Sequence, residues 1–429
     1  MKKMTLMLAA MALASCVSDR TSGDSLDEIA KDYVQMTLEI GEREPGYVDA
    51  YYGPAEWADA AKAAPRSVQA LATEAQALAV RTQAIAPESL DPLEQRRRSF
   101  LLAQLKAAST RLRMLGGEKL SFREEAEGLF GVSPELKPLT DYDPVLARIE
   151  ALVPGAGTLA DRVDAFEERF TIPADRLKPV FGAAIAECKQ RTAAHIKLPQ
   201  DESFKLGFVT GKSWSGYNYY QGGYHSLIEV NTDLPIRISR AVDLGCHEGY
   251  PGHHVLNALL EQRLTKGHGW VEFSVYPLYS PQSLIAEGSA NYGIDLAFPG
   301  EERLAYETGT LYPLAGLPTA EAARYLALLD AKKALAGARF TIASDYLEGR
   351  IDRAQAVALT QKYQLVSQKR AEQSVDFIDQ YRSYVINYGL GQDMVRAFVE
   401  AAGDTPAQRW AAMERVIAEP TLPSDLVAR

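Results

Sequence analysis

One stretch stands apart in this chain, His247-Glu248-Gly249-Tyr250-Pro251-Gly252-His253-His254, because it holds three of the six histidines. Imidazole is the commonest protein ligand for zinc, and a neighbouring carboxylate can take a proton from an activated water. Such crowding of a rare residue type indicates chemistry rather than packing. The stretch therefore predicts a zinc site with Glu248 as its general base.

The proline distinguishes this stretch from the HExxH helix, in which histidines four residues apart share one face. Pro251 occupies that fourth position after His247, and a straight helix would place His254 about 10.5 Å further along its axis. Because Pro251 lacks an amide hydrogen and Gly252 tolerates unusual dihedrals, we expect a bulge or break here. A two-residue bulge would bring His253 to the second ligand position, with His254 as the alternative ligand.

A catalytic zinc site needs a third protein ligand. The best candidate is Glu287, which lies on an apolar helix predicted over 281–297. A carboxylate among apolar residues is costly to bury unless it is paired or bound to a metal. The alternative is an ordinary exposed helix glutamate.

Most of the remaining chain has the periodicity of amphipathic helices. A capping box begins at Ser25, and the apolar stripe after it consists of Leu26, Ile29, Tyr33, Met36 and Ile40. A second stripe consists of Leu101, Leu105, Ala108, Leu112 and Leu115. Further helices are predicted over 156–196, 236–266, 281–297, 318–349, 352–385 and 391–418. Short strands are predicted over Phe204–Thr210 and Leu227–Asn231, with a Gly-, Tyr- and Trp-rich stretch between them.

These patterns predict a mainly α fold with a small β insert near the zinc site. We expect a single domain over 25–429, with an N-terminal lobe of about 25–200 and a zinc-site lobe of about 201–429. The internal boundary is placed in the proline-containing stretch 134–154. The net charge of −10 argues against a nucleic-acid partner, because such partners are bound by clustered positive charge. Neither a P-loop nor a glycine-rich dinucleotide motif is present, so no nucleotide partner is expected.

The N-terminus has the pattern of a signal peptide. Lys2 and Lys3 precede an apolar run that is too short to span a bilayer. The run ends in Leu13-Ala14-Ser15-Cys16, which resembles the bacterial lipobox, so we expect a signal peptide over 1–15, a lipidated Cys16 and a tether over 16–24. Because Val17 rather than Asp follows the cysteine, the expected location is the cell envelope, anchored in the outer membrane and facing the periplasm. The alternative is a plain secretory signal with an incidental cysteine.

The other two cysteines, Cys188 and Cys246, could form a disulfide in an oxidising compartment. Of the two interpretations we favour buried, unpaired thiols, because free cysteine behaves as a small apolar residue.

The histidine stretch resembles the HExxPGHH hallmark of a bacterial family known as domain of unknown function 885. Three further blocks carry the resemblance: Glu287-Gly288-x-Ala290-x-Tyr292 is similar to EGWAxY, Val230-Asn231 to the strand end before the motif helix, and Gly391-Gln392 to PGQ. The family resembles gluzincin metallopeptidases, which implies a two-lobed helical body. It also implies Zn²⁺ held by His247, His253 and Glu287.

The chain departs from the family pattern at several positions. Ser289 replaces the tryptophan of the second block, Ile294 its trailing acid and Leu390 the proline of PGQ. A block similar to RxxxDTGLH is only faintly visible from Arg339 to Gly349, without its histidine. These departures leave the expected metal ligands unchanged. They affect other positions of the family pattern, so we do not assign the family's substrate contacts to this chain.

The expected activity is zinc-dependent peptide hydrolysis by an envelope lipoprotein. Glu248 would accept a proton from water and deliver it to the leaving amine, while a phenol or imidazole stabilises the oxyanion. The candidates for that last role are Tyr217, Tyr219, Tyr220, Tyr224, His225, Tyr292, Tyr384 and Tyr388, each of which could instead be a packing or rim residue. Arg237, Arg339 or Arg382 could hold a substrate carboxylate, which would favour a carboxypeptidase or dipeptidase.

Two other functions stay open at this point. One is a zinc- or peptide-binding surface lipoprotein without turnover, which would have no need of a free carboxylate at Glu248. The other is a non-metal hydrolase or structural protein, whose histidines only form hydrogen bonds in the core.

Overall fold

The computed structural model describes residues 25–212 and 214–427. The predicted signal peptide, the lipidated Cys16 and the tether over 16–24 therefore lie outside the described residues. Among the described residues, none of the helices combines the length and the apolar character that a membrane span requires.

Helices make up most of the structure, which confirms the mainly α fold. The N-terminal half contains α1 Leu26–Arg43, α2 Ala55–Ala63, α3 Val68–Ala84, α4 Pro92–Leu115, α5 Phe122–Leu129, α6 Asp143–Leu152, α7 Leu159–Glu168 and α8 Leu177–Ala193. The C-terminal half contains α9 Ser239–Leu244, α10 His253–Leu260, α11 Pro281–Ala297, α12 Glu302–Tyr306, α13 Tyr312–Ala315, α14 Ala322–Lys333, α15 Ala336–Leu347, α16 Arg353–Gln364, α17 Gln368–Tyr381, α18 Ile386–Ala401 and α19 Pro406–Ala418.

The first helix forms as its sequence predicts. Ser25 caps it by accepting a hydrogen bond from the Glu28 amide, and the Glu28 carboxylate accepts from the Ser25 amide in return. Every residue of its predicted apolar stripe is buried. Capping and periodicity are local properties, so this element could be read directly from the sequence.

Two small sheets accompany the helices. Strand β1 (Val48–Tyr51) pairs antiparallel with β5 (Val275–Pro277), while a second sheet has the order β2-β4-β3. Strand β2 (Ser203–Val209) runs parallel to β4 (His225–Asn231), and β3 (Gly216–Gly222) runs antiparallel to it. Strands β2 and β4 confirm the predicted β insert. Strand β3 was missed because its glycines and asparagine are depleted in strands.

Two buried clusters form the core. One surrounds α1, α3 and α4, and the other surrounds α8, α10 and α19. Helix α11 lies between them, because Leu284 belongs to the first cluster and Ile285 to the second. The division into lobes near residue 200 stays a prediction.

The helix that carries the histidine stretch is interrupted. Helix α9 continues as a π-helix over Gly245–Gly249, and α10 begins only at His253. Gly252 is required at the break, because a Cβ atom there would lie 1.7 Å from the His247 carbonyl oxygen. The chain therefore folds back against the carbonyl of His247, as the proline and glycine indicate.

Helix α11 crosses α18 at very close range. A Cβ atom on Gly288 would lie 2.4 Å from the carbonyl carbon of Gly391. The same helix faces the histidine break, since a Cβ atom on Gly293 would lie 2.8 Å from Pro251 Cγ. These close contacts at two glycines fix the position of Glu287, which precedes Gly288, relative to the histidines.

Cys188 of α8 and Cys246 form a disulfide. Our preference for two unpaired thiols was therefore wrong. Both sulfur atoms are buried, as expected, but the fold brings together residues that lie 58 positions apart in the chain. The bond ties α8 to the residue that precedes His247.

We expect loss of this disulfide to lower the free energy of unfolding by about 3–4 kcal/mol, because a cross-link of this span constrains the unfolded chain. Urea unfolding of Cys188→Ala, Cys246→Ala and the double variant measures the effect. The double variant should be no less stable than the single ones, since each single change already removes the bond. An unfolding midpoint of the parent protein that does not move under reductant contradicts the prediction.

Candidate metal centre

Three potential ligand atoms converge beside the helix break. His247 Nε2 lies 3.2 Å from His253 Nε2, and Glu287 Oε2 lies 3.3 Å from the first and 3.8 Å from the second. Together they form a group that could hold a metal ion. A divalent ion at about 2.0–2.2 Å from each atom fits such a triangle.

The Glu287 carboxylate has the features of a ligand. It is only 6% exposed, and Oε1 accepts a hydrogen bond of 2.9 Å from the Tyr384 hydroxyl. The other oxygen, Oε2, is buried and has no partner within hydrogen-bond geometry among the described residues, although both imidazoles face it at 3.3 and 3.8 Å. Burial alone would raise the pKa of Glu287, but the two imidazoles hold it well below its usual range. An orphaned, ionised oxygen that faces two imidazoles fits a cation, and zinc prefers this donor set.

The charge of the metal-free site follows from the same contacts. Burial disfavours the imidazolium form of His253, but the Glu287 carboxylate outweighs this effect and raises its pKa to about 9. At neutral pH a proton on His253 therefore supplies the positive charge that a bound metal ion would supply.

Asn291 orients His247. Its Nδ2 donates to the Tyr388 carbonyl oxygen at 3.1 Å, which leaves Oδ1 as the acceptor that lies 3.1 Å from His247 Nδ1. Nδ1 of His247 therefore donates to Asn291, and Nε2 faces the triangle. Such outer contacts set the tautomer of metal-binding histidines.

His254, the alternative ligand, is directed away from the triangle. It is completely buried, with Nε2 2.8 Å from Glu202 Oε2 and Nδ1 2.8 Å from the Ser226 hydroxyl. Glu202 also accepts from Tyr250 and pairs with Lys189. The structure thus brings His253, and not His254, to the candidate metal centre.

Glu248 is close to the triangle but is not part of it. Its carboxylate lines the same cavity of about 750 Å³, and Asn218 fixes its backbone by donating to its carbonyl oxygen at 2.7 Å. A Cβ atom on Gly216 would lie 2.9 Å from Glu248 Oε1, so the glycine leaves room for the carboxylate.

The aromatic candidates separate into two groups. Tyr217, Tyr384 and Tyr388 line the cavity. Those that do not line it are Tyr219, Tyr220, Tyr224, His225 and Tyr292. Tyr220 instead donates to Glu261 and His225 contacts Ser203, while Tyr292 packs near Arg396.

Asp49 and Asn291 line this cavity and were not among the candidates from the sequence. Asp49 on β1 accepts a hydrogen bond from Tyr217, and burial raises its pKa to about 6 although that bond opposes the shift. Nothing in the local sequence marks Asp49. Asn291 could have been found, because it lies four residues after Glu287 on the same face of α11.

The three candidate arginines also differ in position. Arg237 pairs with Asp164, and Arg382 pairs with Glu125. Arg339 lines the cavity that contains the metal triangle.

Solved structures resemble this chain at low sequence identity. One is described as "the putative lipoprotein from Colwellia psychrerythraea", with a TM-score of 0.52 and 16% identity over 84% of this chain and 68% of that chain. Another is the M32 carboxypeptidase from Deinococcus radiodurans R1, with a TM-score of 0.38 and 13% identity over 94% of this chain and 92% of that chain. The first likeness shows a shared fold. No family model matches the chain and no curated protein matches its sequence, so the resemblance to domain 885 stays a prediction.

Proposed function

We propose that this protein is a zinc metallopeptidase. The observation that carries the proposal is the convergence of His247 Nε2, His253 Nε2 and Glu287 Oε2 in a cavity that Glu248, which is not part of the triangle, also lines. A purely structural zinc site is closed by four protein ligands, whereas a catalytic one has three. Three ligands and an adjacent base fit the second kind.

Glu248 and Tyr388 would have separate roles in the reaction. Bound zinc would supply a Lewis acid that activates water and polarises the scissile carbonyl. Glu248 accepts the proton of the attacking water and delivers it to the leaving amine. Burial and the Glu287 carboxylate raise the pKa of Tyr388 well above its usual value, so its phenol keeps its proton and can donate to the developing oxyanion.

The proposal includes a location at the cell envelope, with a lipid anchor at Cys16 in the outer membrane. It is supported by the lipobox-like end of the N-terminal apolar run. The buried disulfide fits an oxidising compartment, and the Colwellia protein of similar fold is described as a putative lipoprotein.

We expect the purified mature protein to contain one zinc ion per chain and to digest peptides. Elemental analysis measures the metal, and a peptide-library digest followed by mass spectrometry measures turnover. A chelator should abolish digestion, and added zinc should restore it. Zinc without digestion would favour a non-catalytic binding protein, and protein that neither contains nor takes up zinc would contradict the proposal.

A further inference from the structure

Three residues that line the metal-site cavity each carry a buried polar atom that can donate a hydrogen bond. The atoms are Arg339 Nε, Gln364 Nε2 and Ser374 Oγ, and we refer to their residues as the donor cluster. All three atoms are buried, and none has a hydrogen-bond partner within residues 25–212 and 214–427. Because buried polar groups in native proteins are nearly always satisfied, three open donors in one cavity indicate a ligand that accepts hydrogen bonds.

The donor cluster lies where three helices meet. The Arg339 guanidinium of α15 stands 5.1 Å from the ring centre of Phe377 on α17 and 5.9 Å from that of Tyr388. Ser374 lies one turn before Phe377 on α17, and Gln364 is the last residue of α16, which packs against α17. The aromatic rings hold the guanidinium in place without neutralising it.

The Arg339 guanidinium lacks a carboxylate partner in the part of the chain that the structure describes. Three other cations of the cavity wall have carboxylate partners, since Arg240 and Arg303 contact Asp243 and Lys333 contacts Asp295. A fourth, Arg370, donates a hydrogen bond to the Pro235 carbonyl oxygen instead. Among the described residues no carboxylate forms an ion pair with Arg339, and burial lowers its pKa. An uncompensated buried charge is unfavourable, so this position favours an anionic ligand.

The donor cluster is close to the metal triangle. Tyr388 is near both, since its ring centre lies 5.9 Å from the Arg339 guanidinium, and burial and the Glu287 carboxylate raise the pKa of its phenol. The Tyr388 carbonyl oxygen also accepts from Asn291, which orients His247. A substrate with an anionic group on Arg339 and its scissile carbonyl at the triangle would therefore lie within one cavity.

We propose that the donor cluster binds the C-terminal carboxylate of the substrate, so that the enzyme is an exopeptidase that acts from the carboxyl end. The inference rests on the proposed metallopeptidase function and names its substrate class. A guanidinium presents its donors in a fork that matches a carboxylate, and Ser374 and Gln364 add single donors. Water adds OH to the scissile carbonyl carbon and a proton to the nitrogen, the C–N bond breaks, and a C-terminal fragment leaves.

Matched peptides with a free or an amidated C-terminus test this inference. We expect the free peptide to lose one or two C-terminal residues, with kcat/KM about 10–100-fold above that of the amide, because a hydrogen bond to a charged group has this effect. Arg339→Met preserves the packing on the rings and should reduce this ratio to near one. Exposed Arg113→Met is the control and should leave the ratio unchanged. Ser374→Ala provides a second variant with a smaller decrease of the same ratio.

A binding experiment separates this inference from the proposed function. In the zinc-loaded Glu248→Gln protein, calorimetry should show tighter binding of the free peptide than of the amide, and Arg339→Met should remove the difference. If the parent protein shows this selectivity but hydrolyses nothing, the peptidase proposal fails and the carboxylate site stands. If it hydrolyses both peptides equally, the peptidase stands and the carboxylate site is overturned.

An amidated peptide that ends in glutamate distinguishes the source of the carboxylate. Weak binding and slow cleavage of this peptide support recognition of the chain terminus. Binding as tight as that of the free peptide assigns the donor cluster to an acidic side chain and overturns the exopeptidase inference.

Discussion

Glu248→Gln is expected to slow peptide hydrolysis by about 10²–10⁴-fold, which is the usual contribution of a general acid–base. The amide has the size of the carboxylate but cannot accept the proton of the attacking water. Zinc content should stay at the parent level, because Glu248 is not part of the ligand triangle. The measurements are kcat on a cleaved peptide and metal content of the same preparation.

The control is Glu168→Gln, which makes the same chemical change on an exposed face of α7. It should have parent activity and parent zinc content. A Glu248→Gln protein that turns over peptides at the parent rate contradicts the assigned role of Glu248. A variant that loses its zinc would instead place Glu248 among the ligands.

The histidine stretch shows what local rules can predict. Pro251 removes a hydrogen-bond donor and Gly252 accepts a conformation that other residues cannot, so the helix break followed from two residues. The break in turn indicated that His253 would face His247. The same rules could not show where His254 goes, because its partner Glu202 is 52 residues away in sequence.

Contacts between distant segments account for what the sequence did not predict. Asp49 reaches the cavity through the pairing of β1 with β5, which joins residues more than 200 positions apart. The disulfide depends on α8 packing against the π-helix, and no spacing rule predicts it from two cysteines. The donor cluster likewise exists only because α15, α16 and α17 meet. Periodicity predicted helices in this region but not which of their polar residues share a cavity.

His253→Ala and His254→Ala are expected to fail in different ways, although they remove neighbouring residues of one type. Structural zinc sites with four ligands bind the ion with a free energy of about 10–16 kcal/mol, which corresponds to roughly 3 kcal/mol per ligand. His253→Ala should therefore weaken zinc binding by about 100-fold or more. His254→Ala should bind zinc with near-parent affinity in its folded fraction, because its imidazole contacts Glu202 and Ser226 instead of the triangle.

The loss in His254→Ala should be one of stability. The substitution leaves a cavity and removes a hydrogen bond from the buried Glu202 carboxylate, so we expect the free energy of unfolding to fall by about 2–4 kcal/mol. Competition with a zinc chelator measures affinity, and urea unfolding of the metal-free proteins measures stability. If the alanine variant does not fold, His254→Gln, which keeps a donor for Glu202, replaces it in both measurements. If His254→Ala loses zinc while His253→Ala retains it, His254 is the ligand and the geometry of the helix break has been misassigned.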